Sequence, residues 1–593
     1  MPTLLSRLWH QVRGWVGAAP SLLVLFILIA YPMASLLIQI VLPHLFDVKM
    51  SFTPSLQPFF KVFTSKGNLT AVIDSLAIGA VAAVFATVIG TVTAFGSAKA
   101  PRGVRAVMNG AIWIVFFTPS YVIAEGWLIL MQDGGILSQV FHLPNGWSAW
   151  FFTRFGLVIT MGFRYFPFVH MAMEQAIANV GTEFVNAGRM LGASRAQRFR
   201  KIILPLLTPA LLAGGSIAFA EGFGDFGFAA AISPQVHIPL ISYQIYSALN
   251  QAPVDYPAAA GLSLLLILVT GGTLLLQMWW LGRRTYVTIS SGSKVNVPPA
   301  GRRMSGATIA SLIIAVVALV LPLGSTFLES LWNSNAAGLT FSNLSWQNYA
   351  QAMQVGGNGL QALTRSFTYS LIAAVITMTI GLFVAHQMAF RKSAATRILN
   401  LVTMATIAIP GVVLAAAFIF AWNAVWLIPI HLVLYGTSWV LGMAYVAGHL
   451  PYAIRLQLGA MSQLSPNLMT AARVLGAKNT TILRKVVVPL VQATTISTFF
   501  LTFTDTMFEL PASSLLYPAG EPPFPVLINS KFQAFEWGQG AALAMIGLLF
   551  VIVSYAIGQF ITSKLASKGG SKKQSVSVDA DVSETEVLVS RYS

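Results

Sequence analysis

The chain has 593 residues and no cysteine. Disulfides, thiolate metal sites, thiol nucleophiles and redox chemistry on cysteine are therefore excluded. Charge is nearly as scarce, at 9% of residues, against about a quarter in an ordinary soluble domain. No GxxxxGK[ST] phosphate loop occurs in the sequence, so nucleotide hydrolysis of that type is not expected on this chain. Apolar residues fill the space, at 56% of the total with a mean hydropathy of +0.73. Runs of the roughly 20 residues needed to cross a bilayer recur along the whole length. An all-α integral membrane protein follows.

The runs predict about twelve transmembrane helices, near 19–42, 70–97, 106–130, 155–178, 205–230, 257–281, 306–330, 366–390, 397–421, 432–458, 487–508 and 541–562. The first exceeds the roughly 7–15 apolar residues of a signal peptide and lacks a small-residue cleavage site, so it reads as an uncleaved span. The net charge of +17 concerns loop sidedness in such a chain, and no nucleic-acid partner is expected. Alternate loops hold the cations: Arg7 and Arg13; Lys99, Arg102 and Arg105; Arg189, Arg195, Arg198, Arg200 and Lys201; then, in the second half, Arg391, Lys392 and Arg397, and Arg473, Lys478, Arg484 and Lys485. The loops 131–154, 231–256 and 422–431 are poor in them. The positive-inside rule then makes both termini cytoplasmic. A polar Gly/Ser/Pro stretch over 283–305 reads as a cytoplasmic linker between a lobe at 1–282 and a lobe at 306–565, and 566–593 as a disordered cytoplasmic tail.

The halves repeat. NAGRMLGASRAQRFRKIILP at 186–205 matches TAARVLGAKNTTILRKVVVP at 470–489, with 471 − 187 = 284 and 489 − 205 = 284. The same register pairs Glu221 with Asp505 and Asp225 with Glu509; upstream it becomes 291, pairing Ser75 with Ser366, Gly90 with Gly381 and Pro119 with Pro410. Two parallel six-helix repeats about an axis along the membrane normal make a translocation path at their interface. In each matching stretch, small residues (Ala187 and Gly188; Ala471 and Ala472) precede a helix-breaking Gly192 or Gly476, a basic turn and a span-opening Pro205 or Pro489. A single such helix fits lipid headgroups as well as a protein. Two in identical register fit a pair of identical partners.

These residues resemble the cytoplasmic signature of the membrane subunits of binding-protein-dependent ABC importers: Glu-Ala-Ala, three residues, Gly, nine residues, Ile-x-Leu-Pro. The first copy gives Asn186, Ala187, Gly188, Gly192, Ala193, Ile202, Leu204 and Pro205; the second gives Thr470, Ala471, Ala472, Gly476, Ala477, Val486, Val488 and Pro489. The signature's Glu is replaced by Asn186 and Thr470, and Glu183 is the candidate for its acidic contact in the first copy. The fused layout is similar to ferric-iron permeases of the type I importer fold, with relatives for thiamine, phosphonates and sugar phosphates. The resemblance implies a subunit of a bacterial inner-membrane importer. It implies coupling helices seated on two separate ATPase subunits, which bind the ATP and Mg, and a soluble binding protein outside; this chain itself would bind no cofactor.

Charge inside a span is costly unless it faces a cavity or a partner, which singles out Glu221, Asp225, Asp505 and Glu509. They fall roughly 24–30 Å along the helix from Pro205 or Pro489, which suggests a position near the outer mouth. Two readings stay open: a cation path, or helix caps and interhelical bonds beside Gly222 and Gly224. No metal ligands are assigned. Arg164, His170, Glu174 and Arg455 are alternative contacts for an anionic substrate, against which Arg164 and Arg455 read as structural pairs or snorkelling side chains; His386 and His449 read as hydrogen-bonded between helices, and Trp113, Trp127, Trp147, Trp150, Trp422 and Trp426 as interfacial belts. A secondary carrier driven by an ion gradient is the rival function, with the acids as its proton or sodium sites, but it gives the paired basic stretches nothing to dock on.

Overall fold

A computed structural model describes residues 15, 17–45, 50–179, 182–282, 304–333, 338–391 and 393–589; the side chains of 179, 182, 183, 466, 479 and 566–589 fall outside that description. The linker, apart from its last two residues, and the side chains of the tail therefore lie outside it. Among the described residues the β pairing is one isolated bridge, Trp332 with Leu344.

The first half provides α1 (Gly17–Val41), α2 (Lys66–Lys99), α3 (Arg102–Phe117), α4 (Ser120–Met131), α5 (Arg154–Asn179), α6 (Thr182–Met190), α7 (Arg195–Gly224), α8 (Phe226–Val236), α9 (Ile241–Asn250) and α10 (Tyr256–Gly282). The second provides α11 (Gly306–Leu331), α12 (Asn358–Phe390), α13 (Ala394–Ile407), α14 (Gly411–Trp422), α15 (Ser438–Ser462), α16 (Pro466–Val474), α17 (Thr480–Met507), α18 (Pro511–Leu516), α19 (Phe524–Gln533) and α20 (Trp537–Leu565). Each helix has its counterpart ten labels on.

Among the described residues, eight helices are long and apolar enough to cross a membrane singly, namely α1, α2, α7, α10, α11, α12, α17 and α20. The segments expected as straight spans over 106–130 and 397–421 are instead bent pairs, turning by 103° between α3 and α4 and by 114° between α13 and α14. Pro119 and Pro410 cause the bends. Each lacks an N–H and disfavours helix in the residue before it, and each starts the next helix by accepting two N–H bonds on its carbonyl, from Val122 and Ile123 or from Val413 and Leu414. The remaining expected spans are α5 and α15, long enough to cross but less apolar.

After the bend, α4 and α14 run through the interior, with every residue from Tyr121 to Met131 and from Val412 to Trp422 buried. Trp127 and Trp422 are thus core residues rather than the interfacial belt expected of them. The first helix of each half covers the other half: α1 packs on α14 and α11 on α4. Tyr31 donates to the Ala421 carbonyl at 2.8 Å and Ser325 to the Gly126 carbonyl at 2.6 Å. An added Cβ on Gly126 would lie 2.3 Å from the Pro322 carbonyl oxygen, a close approach that only glycine permits.

Opposite the end that carries α6 and α16, α9 and α19 begin against serines. The Ile241 N–H donates to Ser75 and the Phe524 N–H to Ser366, each at 2.8 Å and buried. Losing the acceptor of a buried N–H costs about 1–3 kcal/mol. Ser75→Ala and Ser366→Ala should each lower the melting temperature of the purified protein, and Ser→Thr should restore it. Thermal scans reporting the same midpoint for alanine and wild type would contradict this account.

Candidate functional site

At the basic end both repeated stretches fold alike. Gly192 donates to the Arg189 carbonyl at 3.1 Å and Ala193 to the Gly188 carbonyl at 2.9 Å; Gly476 donates to Arg473 at 2.9 Å and Ala477 to Ala472 at 3.0 Å. These paired bonds are Schellman closures. They require the left-handed φ of +76° at Gly192 and +80° at Gly476. Beside each glycine stands an apolar pair pushed into solvent: Met190 and Leu191, 88% and 87% exposed, and Val474 and Leu475, 83% and 85%.

The motif's small residues divide by face. Asn186, Ala187, Thr470 and Ala471 are exposed, whereas Gly188 is buried and Ala472 half-buried. A Cβ on Gly188 would come within 2.8 Å of the end of Ile202, so close packing is confined to that position and not spread over the stretch. Ala472 packs on a cluster of Ala385, Met461, Met469, Ile482 and Val487, which seats α16 on the ends of α12, α15 and α17. Glu183 belongs to α6, but its side chain is outside the described residues. The exposed Pro205 and Pro489 follow one wide turn apiece, closed by i to i+5 bonds from Leu204 to the Phe199 carbonyl and from Val488 to the Leu483 carbonyl. Proline gives no N–H to the carbonyl four residues back and crowds it, and a π turn moves that carbonyl away.

Deeper in the bundle the four helix breaks meet. An added Cβ on Gly224 would lie 3.2 Å from Pro410, and one on Gly411 would lie 3.3 Å from Pro511 and 3.5 Å from Glu509. Phe223 lies against Gly79 of α2, about 30 Å from Lys99 at 1.5 Å per residue. The acids therefore stand at the level of the helix breaks.

The sequence pairing of the acids proves to be a pairing of roles. Asp225 caps α8, accepting from the Phe228 N–H at 3.0 Å and from Ser120 at 2.8 Å, with a further bond from the Tyr165 hydroxyl. Glu509 caps α18, accepting from the Ala512 N–H at 2.9 Å and the Ser513 N–H at 3.1 Å. Glu221 and Asp505 are open. The Asp505 side chain is 73% exposed, with one oxygen 3.0 Å from His449 Nε2, and Glu221 is exposed. They lie on α7 and α17 within electrostatic reach of one another, and Tyr452 is within reach of both.

Residues 86–280 and 377–567 match the family of binding-protein-dependent transport system inner membrane components. The chain belongs to this family. The matched stretches begin 377 − 86 = 291 residues apart, the register read from the upstream repeat. The chain is 25% identical over 508 residues to a putative ferric transport system permease protein of Haemophilus influenzae, covering 84% of this chain and 77% of the relative. It is 24% identical over 555 residues to a ferric transport system permease protein of Actinobacillus pleuropneumoniae, covering 91% and 77%. A sulfate transport system permease protein of Salmonella typhimurium is 26% identical over 245 residues, 41% of this chain and 83% of the relative. The chain is thus the multi-pass membrane subunit of an importer, with the permease domain present twice.

Within this permease the other singled-out residues separate. His170 contacts Thr93 at 3.0 Å and Glu174 at 3.7 Å, and Arg455 donates to Asn400 at 2.9 Å, as expected of structural pairing. His386 packs edge-on against Phe390. Arg164 donates to the Val115 carbonyl of α3 at 3.3 Å. Tyr452 and the His449–Asp505 contact have no sequence signal beyond position in a span. Among the described residues, no group of three or more His, Asp or Glu side chains forms a metal cage.

Proposed function

We propose that this permease imports ferric iron, driven by two ATPase subunits docked on α6 and α16 at the cytoplasmic face and supplied by a binding protein on the opposite face. Both termini would then be cytoplasmic, and ATP and Mg would be held by the ATPases. The observation that carries the docking is the pair of Schellman-closed helix ends, each presenting an exposed apolar dipeptide. Solvating four such side chains is unfavourable by about 25 cal/mol per Å², and a groove on each ATPase would cover them. Drawing α6 and α16 together would move α7 and α17 as rigid bodies, and with them Glu221 and Asp505.

The ferric relatives and two exposed span carboxylates, Glu221 and Asp505, support the cargo; hard oxygen donors suit a hard cation. Arg164 and the sulfate relatives favour a second cargo, an oxyanion. Native mass spectrometry of the gently extracted complex should find one copy of this chain with two ATPases, and vesicles bearing the whole system should take up radioactive ferric iron but not radioactive sulfate. A chain free of ATPase in several detergents would defeat the docking, and sulfate uptake would defeat the cargo.

A further inference from the structure

A groove of about 430 Å³ runs along the seam where α3 of the first half meets α20 of the second. Behind it, α11 packs against both helices. The lining residues fall on one face of α3, from Ala106 to Phe117, and on one face of α20, from Leu548 to Tyr555. Three rings hold the seam: Tyr555 stands 4.7 Å from Phe117 and 6.2 Å from Trp113, centre to centre. Trp113 is thus part of a groove wall rather than of the interfacial belt expected of it. The polar groups of the wall are committed, since Asn109 accepts from Ser97 and donates to Glu174 at 2.9 Å each, and the Tyr555 hydroxyl accepts from Gln559 at 3.1 Å. The rest of the lining is apolar, with Val107 and Leu549 exposed beside it.

The equivalent seam of the other half, α10 against the end of α13, is closed. Thr270 donates to the Ala408 carbonyl at 2.8 Å, and an added Cβ on Gly271 would meet Ala408 at 3.8 Å; Ala408 stands opposite Phe117 in the 291 register. The open seam also has a charged end. Arg102 and Arg105 continue the lining face of α3 by one turn, Arg102 exposed and Arg105 half-buried with no partner for its Nε. They stand at the basic end of the bundle, where Phe95 of α2 lies 6.1 Å from Phe199 of α7, ring centre to ring centre. The α3 wall is roughly 16 Å long, so the volume leaves a mean cross-section of roughly 26 Å², against roughly 80 Å² for a helix about 10 Å wide. A hydrocarbon chain fits that groove, and a protein helix does not.

We propose that this seam binds one anionic phospholipid, with an acyl chain along the Trp113, Phe117 and Tyr555 wall and the headgroup phosphate at Arg102 and Arg105. Guanidiniums match phosphate oxygens, and basic side chains beside a span attract anionic lipids. An apolar groove that opens beside two guanidiniums is complementary to a molecule with a hydrocarbon chain attached to a phosphate. The site goes beyond the transport reading and holds for either cargo. Because α3 and α20 come from different halves, the lipid bridges them.

The test is native mass spectrometry of the delipidated full-length protein in detergent, titrated with phosphatidylglycerol or with phosphatidylcholine of the same chains. The first phosphatidylglycerol should bind at least about tenfold more tightly than the first phosphatidylcholine, which is about 1.4 kcal/mol. Arg102→Gln with Arg105→Gln should reduce that preference to less than about twofold on the same scale, and Arg102→Lys with Arg105→Lys should keep it. Gly110→Leu fills the groove without a clash, because Gly110 lines it and an added Cβ there meets nothing within 4 Å. Leucine also favours helix over glycine, so this variant should keep the melting temperature of the delipidated protein or raise it, while weakening both lipids at least about tenfold. Three outcomes would each overturn the proposal: equal affinity of the two lipids for the wild type, unchanged lipid binding in Gly110→Leu, or a dimer of this chain that Gly110→Leu dissociates, which would make the seam a contact between copies. None of these measurements involves cargo, so their failure is distinct from failure of the ferric-iron reading.

Discussion

Valine at both Gly192 and Gly476 should stop cargo uptake while leaving the membrane bundle intact. Both glycines sit at positive φ, +76° and +80°, where an L-residue costs roughly 1–2 kcal/mol, and a β-branched one is a genuine outlier. The cost falls on the two segments that present Met190 with Leu191 and Val474 with Leu475, so either the Schellman closure opens or the apolar pair is re-aimed. Steric bulk is not the cause, because an added Cβ at either position has nothing within 4 Å. Asparagine, which visits the left-handed region readily, should therefore retain most of the uptake. With tenfold per 1.4 kcal/mol, the valine pair should lose at least about tenfold and the asparagine pair less than about threefold. Uptake per inserted protein, measured beside the amount of co-purifying ATPase, decides the matter. Equal losses for valine and asparagine would assign the effect to bulk in an interface, and full activity in the valine pair would remove α6 and α16 from coupling.

The two repeated basic helix ends were legible in the sequence because every element of them is local. Gly192, Pro205 and their counterparts act through the backbone within six residues, and a register repeated twice makes coincidence improbable. The spans were legible for the same reason, as was the pairing of Ser75 with Ser366, although its purpose, receiving the first N–H of α9 and α19, was not. What periodicity does not carry is direction. Pro119 and Pro410 sit in apolar runs of span length, and only the geometry reveals turns of 103° and 114° that bury α4 and α14. That burial placed Trp127 and Trp422 in the core, where composition had suggested a lipid interface. The four acids were legible as a symmetric set but not as two kinds, since Asp225 and Glu509 differ from Glu221 and Asp505 only in what lies one turn ahead. Arg164 was hardest: its hydrogen bond goes to the Val115 carbonyl, orphaned by a proline in another helix.

That division of the acids sets up an unequal response to neutralisation. Glu221→Gln and Asp505→Asn should each raise KM for ferric iron at least about tenfold, because a contact to a charged group contributes about 1.5–3 kcal/mol, and together they should nearly abolish uptake. Asp225→Asn and Glu509→Gln should change KM less than about threefold. Asparagine caps a helix as well as aspartate does, and the glutamine carbonyl still accepts from the Ala512 and Ser513 N–H groups that Glu509 now holds. Removing the caps is a different experiment: Asp225→Ala costs about 0.5–2 kcal/mol at the start of α8 and should appear as a lower melting temperature with an unchanged KM in the protein that remains folded. The readouts are uptake kinetics for the isosteric variants and thermal scans for the alanine variant. A larger KM change in Asp225→Asn than in Glu221→Gln would mean that the capping acids reach the cargo, reversing the assignment. A fall in KM on neutralising Glu221 would mean that the passing species is negative, and the carboxylates would then act as a barrier that keeps an oxyanion moving past Arg164.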